Sequence, residues 1–154
     1  MKRLLWVLMV LAGVTSFASA QDEKEPAATE IVKRVAAIKL DTSLTVRGER
    51  GPKKVEVTPV AADSISGSRE LEEGRIIGLL DARGNVDNVP NGKHHIFIKK
   101  VNGVWHAYAE SGGKIVAKSK RVTVENTDDG GKPEIEFNLR ITLTVGRVKI
   151  TVWW

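Results

Sequence analysis

An antiparallel β-sandwich of about seven or eight short strands is the fold class this sequence predicts, and three observations point to it. From Ile135 to Trp154 apolar residues alternate with polar ones at the period of a half-buried strand. Turn formers such as Asn102-Gly103, Gly112-Gly113 and Gly146-Arg147 punctuate the chain at short intervals. Between them no convincing helical periodicity appears.

The C-terminal stretch specifies most. Gly146-Arg147 predicts a type II′ hairpin turn, with Gly at the first central position. That turn pairs Val145 with Val148, Leu143 with Ile150, Ile141 with Val152 and Leu139 with Trp154, all on one face. A one-residue slip would set apolar against polar throughout, so the register is well specified. The continuous alternation from Ile135 to Val145 reads as one strand.

The first residues predict export. Lys2 and Arg3 form a basic n-region, Leu4 to Val14 an apolar core, and Ala18-Ser19-Ala20 a small-x-small cleavage site, which places the mature start at Gln21 and the protein in the periplasm or outside the cell. The apolar run is shorter than the about 18–20 residues of a spanning helix. Cleavage removes two of the 24 basic residues and none of the 19 acidic ones, leaving a net charge of +3. This is a mild surplus, and the basic run from Lys114 to Arg121 reads as a solvated strand face, so no nucleic-acid partner is expected. The chain has no Cys, which excludes disulfides, thiolate chemistry and a Cys–zinc centre.

After a charged leader over residues 21–29, Glu30 to Leu40 fits two patterns. Ile31, Val35 and Ile38 suit a helical face, whereas Ala36, Ile38 and Leu40 suit a strand. The strand-like continuation SLTVRG tips the expectation towards strand. A Gly- and Pro-rich turn at 47–53 leads to a strand from Lys54 to Val60, which contains Pro59, a residue typical of sheet edges. Residues 61–74 read as a loop with one helical turn near Ser68 to Glu72, and Arg75 to Leu80 as a buried strand. Residues 81–92 form a loop dense in turn formers. The Asn102-Gly103 turn then pairs Lys99 with His106, Ile98 with Ala107 and Phe97 with Tyr108. Beyond Gly112-Gly113 the apolar parity changes between Ala117 and Val122, which predicts a bulge near Ser119 to Arg121.

Candidate sites are few. His95 and His106 share a face, but the hairpin register separates them by roughly 13 Å at about 3.3 Å per residue, and His94 points the other way, so no metal is expected. Ser119 can come beside His106, yet no acid orients the pair and no nucleophile elbow occurs, so the chain reads as non-catalytic. Asp81, Asn85, Asp87 and Asn88, and separately Asp128 and Asp129, carry oxygens without the spacing of a calcium loop. Trp153 stands beside Arg140, where cation–π stacking is available. Trp153, Arg140, Asp81, Asn85 and Asp87 are therefore the candidate binding surface, with no cofactor.

The stretch Val89-Pro90-Asn91-Gly92-Lys93-His94-His95-Ile96-Phe97-Ile98 resembles a recurring piece of transthyretin-like (prealbumin-like, carboxypeptidase-regulatory-like) sandwich domains, in which a Leu-Pro-x-Gly turn opens a strand. Gly74 to Leu80 resembles the strand before it. His94 replaces the usual aromatic residue. The resemblance implies a non-catalytic extracytoplasmic accessory or binding module and carries over no functional residue. The partner expected is a protein or another envelope or extracellular component, with a second copy joining through a sheet edge as a further option. The rival classes are a small outer-membrane β-barrel and a secreted hydrolase.

Overall fold

A computed structural model describes residues 28–35 and 37–154. The expected leader peptide and its cleavage site lie outside the described residues. Among those described, ten strands form two antiparallel sheets. The larger is a meander in chain order: β1 (Val46–Arg50), β2 (Lys53–Pro59), β3 (Arg75–Arg83), β4 (Gly92–Val101), β5 (Val104–Ser111) and β6 (Lys114–Lys118). The smaller contains β7 (Arg121–Asn126), β8 (Glu134–Glu136), β9 (Arg140–Val145) and β10 (Val148–Trp153), in the order β7-β10-β9-β8. Two α-helices accompany them, α1 (Ala28–Val35) and α2 (Ser68–Glu72), the latter where a helical turn is predicted.

Both hairpin registers agree with the sequence reading. Val145 faces Val148, Leu143 faces Ile150 and Ile141 faces Val152, and the Trp154 N–H bonds the Leu139 carbonyl at 3.0 Å, extending the ladder one step. Only the first turn residue, Gly146 at φ +59°, is left-handed, as a type II′ turn requires. At the other hairpin Asn102 and Gly103 both take positive φ, the type I′ form, and Lys99 faces His106.

The core lies between the sheets. Leu139, Ile141, Leu143, Val145, Val148, Ile150 and Val152 have no exposed surface, and Trp154 has 1%. Opposite them stand Val55, Val57, Leu80, Ala82 and Ile96, which register places on one face of the larger sheet. At Gly78 a Cβ would sit 3.5 Å from Leu143 Cδ1, so the sheets meet there directly. Each fully buried aliphatic side chain contributes about 1.5–3 kcal/mol.

Several expectations are corrected. Residues 28–35 are helical, not strand. Ile31 is buried while Lys33 is exposed, the split of an amphipathic helix lying on an apolar surface. Strand character in this region is confined to a single bridge, Leu40 to Val60. The run Ile135–Val145 is not one strand either. It reverses at Leu139, whose φ is +46°, so β8 folds back on β9 with Ile135 facing Ile141. The reversal leaves Phe137 against β1, where a Cβ on Gly48 would lie 3.2 Å from its ring. Alternation cannot reveal such a fold-back, because apolar and polar residues alternate in the sequence of both β8 and β9.

The parity change after Ala117 marks a passage between sheets rather than a bulge. The Ser119 N–H bonds Ala107 of the larger sheet at 2.9 Å, and the next N–H, of Lys120, bonds Trp153 of the smaller one at 2.7 Å. The register irregularity falls earlier, between Ala109 and Glu110. Pro59 does not lie on an edge strand, since β2 has neighbours on both sides. It is tolerated because β1 pairs only as far as Val57, and its carbonyl accepts from Asp41 N–H at 2.9 Å. Finally, β3 continues to Arg83, so Asp81 is a strand residue.

Among the described residues no helix is long and apolar enough to cross a membrane. A Cβ on Gly146 would come within 2.9 Å of the Ala62 carbonyl oxygen and 3.0 Å of that of Ile65. Gly146→Ala is therefore expected to destabilise the protein by about 1–3 kcal/mol, read as a lower urea midpoint at unchanged slope. Gly146→Asn, which tolerates positive φ, is expected to recover little, because the contact with the two carbonyls remains.

Candidate functional site

A concavity lies beside α1. Glu30 of the helix meets Lys99 of β4 at 3.4 Å, and Lys99 shares with Phe97 the face of the larger sheet turned away from the smaller one. Ile76 of β3 faces Phe97, so α1 covers this part of the outer face. The chain then leaves the helix by a tightened turn, Ala37 N–H to Arg34 O at 3.2 Å and Ile38 N–H to Val35 O at 3.3 Å. It is next pinned along the end of β2 by Ala61 N–H to Lys39 O at 2.8 Å.

Between helix and sheet this path leaves a cavity of about 600 Å³, within the about 300–1,000 Å³ usual for small-molecule sites. Its apolar lining is Ala37, Ile38, Val60, Ile65 and Ile76. Val60, Ile65 and Ile76 are 2–4% exposed, so they form a firm floor. The polar lining contains three cations, Lys33, Arg34 and Arg75, against one carboxylate, Glu30. The wall at Ser64 and Ile65 is braced from behind by the Gly146 turn. No residue of this cavity is among the site residues expected from the sequence. Its signal was the helical pattern of Ile31, Val35 and Ile38, which competes with a strand pattern.

A second constellation is a row across the same outer face: Thr58, Leu79, His95 and Glu110, in register on β2 to β5. Glu110 is 3% exposed. One carboxylate oxygen accepts from Gly113 N–H at 2.7 Å and the other lies 3.0 Å from His95 Nδ1. Gly112 and Gly113 both have positive φ, which aims this N–H back at the carboxylate. The carboxylate is thus satisfied twice within the fold, and it orients an imidazole about a quarter exposed. This acid–imidazole pair is missing from the sequence reading, although extending the Asn102-Gly103 register by four residues places Glu110 opposite His95.

The residues singled out in the sequence disperse. His94 is buried, and its Nε2 donates to the Pro90 carbonyl at 2.6 Å, tying β4 to the loop before it. Ser119 comes beside Ala107 rather than His106, its hydroxyl accepting the Ala107 N–H at 3.0 Å. Asp81 lies 3.4 Å from Arg83, and Asp87 lies 3.6 Å from Lys53. Asn85 donates its N–H to Asn91 Oδ1 at 3.0 Å. Trp153 does flank Arg140 in register, but the cation over its ring is Arg121, 4.8 Å from the centroid. Arg140 turns instead to Glu136, one strand further out. The expected surface therefore falls into separate parts, with Trp153 and Arg140 on the smaller sheet and Asp81, Asn85 and Asp87 on or beside β3 of the larger. The basic run Lys114 to Arg121 is likewise divided between the two sheets. Among the described residues no group of three His, Cys, Asp or Glu side chains converges as metal ligands.

These features define a mostly antiparallel β protein of two sheets with a lateral cavity under its first helix. No family model matches the chain, and no curated protein or solved structure matches it.

Two measurements check this geometry. Glu110→Ala leaves the Gly113 N–H without its acceptor, so it is expected to cost about 1–3 kcal/mol in urea unfolding, with Glu110→Gln costing less. Near the cavity, hydrogen bonds from the Ser66 hydroxyl and then from its backbone N–H hold the Glu70 carboxyl below its usual value, with a smaller contribution from Arg75. A lowered folded value stabilises the protein above the ordinary carboxylate pKa and is lost as pH falls through the lowered one. A carboxyl NMR titration should show the depressed midpoint for Glu70, returning most of the way in Ser66→Ala.

Proposed function

We propose that this is an exported, non-catalytic binding protein, a β-sandwich of transthyretin-like type that takes a small ligand into the cavity beneath α1. The observation that carries this reading is the cavity itself, about 600 Å³ with an apolar floor and a charged rim. An apolar floor joined to charged groups that converge at its mouth offers a ligand both burial and orientation. Export is supported by the basic, apolar and small-residue order of Lys2 to Ala20. The sandwich is supported by two sheets whose buried apolar faces meet at Gly78 and Leu143. Apolar side chains point inward and the charges of Arg47, Glu56 and Lys93 stand outside that core, the reverse of a lipid-facing barrel wall. The terminal strands of the larger sheet carry Arg47, Glu49, Arg50, Lys114 and Lys118, charges that discourage edge pairing and favour a protein acting as a single copy.

The test is titration of the exported chain with an environment-sensitive apolar dye. A saturable 1:1 fluorescence increase is expected, abolished in Ser64→Trp, which fills the cavity from its rim, at unchanged melting temperature. Equal dye binding by wild type and Ser64→Trp overturns the assignment.

A further inference from the structure

We infer that the ligand of this cavity is a single-chain amphiphile with an anionic head, an aliphatic tail bearing a carboxylate or phosphate. The inference rests on the cavity being the ligand site and adds the class of molecule it selects. Charge is the first argument. Lys33, Arg34 and Arg75 reach the rim from two separate elements, α1 and the start of β3, and converge on one opening. Among the described residues none of the three forms an ion pair, whereas the one lining carboxylate, Glu30, is already held by Lys99 at 3.4 Å. Arg75 acts on Glu70 only at longer range, and Glu70 is occupied by Ser66. Among the described residues the cations at the mouth therefore have no ion-pair partner, and guanidinium groups suit carboxylate and phosphate oxygens.

The floor supplies the second argument. Ile38, half-buried, presents aliphatic surface, Val60, Ile65 and Ile76 are packed beneath it, and none of the four carries an aromatic face or a hydrogen-bonding side chain. Such a floor recognises a hydrocarbon chain rather than a sugar or a planar base. A purely inorganic anion would leave it unfilled, and a neutral or cationic amphiphile would give the rim cations no ion-pair partner.

Calorimetric titration of the exported chain with dodecyl phosphate, dodecyltrimethylammonium and inorganic phosphate, all below micelle-forming concentration, tests this. Dodecyl phosphate is expected to bind at least about tenfold more tightly than either of the others. The double variant Arg34→Gln/Arg75→Gln should bring it down to the level of the cationic amphiphile, and Lys33→Glu, at an exposed helix position, should weaken it in the same direction. Should dodecyltrimethylammonium bind as tightly, or the basic variants leave dodecyl phosphate unaffected, anion selection is overturned while the cavity assignment stands. Inorganic phosphate binding equally well overturns the aliphatic part. If neither amphiphile binds and the apolar dye is also rejected, the cavity assignment itself falls.

Discussion

The packing of the C-terminal hairpin face against the larger sheet is the constraint on which the other elements depend. Eight side chains from Leu139 to Trp154 are essentially without exposed surface, and the Gly146 turn holds them on a single face. A two-stranded ribbon cannot shield such a face by itself. The larger sheet provides the cover, and β7 and β8 widen the ribbon on either side so that the covered area becomes continuous.

The chain makes this arrangement possible at two places. At Ser119–Lys120 consecutive backbone N–H groups bond to different sheets, so the crossing needs no loop and leaves neither donor unpaired. Ala107 and Ala109, both fully buried, keep β5 slim where β7 packs against it. On the far side the reversal at Leu139 folds β8 back on β9 and sets Phe137 on Gly48, where a Cβ in β1 would press on the ring at 3.2 Å. The core is thereby closed along both flanks by backbone direction and small residues.

The cavity follows from the same packing. Because the hairpin tip at Gly146 abuts the Ala62 and Ile65 carbonyls, the segment that forms the cavity wall is braced by the most buried part of the protein. The other wall, α1, is joined to the larger sheet through Ile31 and the Glu30–Lys99 pair. A firm wall facing a helix attached along one edge gives a recess with a fixed floor and a rim rich in long basic side chains. The His95–Glu110 pair lies on the outer face of the same sheet, where its carboxylate chiefly fixes the Gly112-Gly113 turn.

What the sequence by itself determined are the features carried by neighbours in the chain. The two hairpin registers, the type II′ turn at Gly146-Arg147 and the short helical turn of α2 follow from period-two alternation joined to residues that prefer particular turns. The His95–Glu110 contact was equally available in that register. Only the tertiary structure decided the rest. Residues 28–35 became helical because the outer face at Ile76 and Phe97 offers an apolar surface to one helical stripe. The parity change near Ser119 became a crossing because a second sheet lay beside the first, and Arg121 took the Trp153 ring once Glu136 had drawn Arg140 away. Each of these outcomes depends on a surface built by residues distant in the chain, and local periodicity carries no information about that surface.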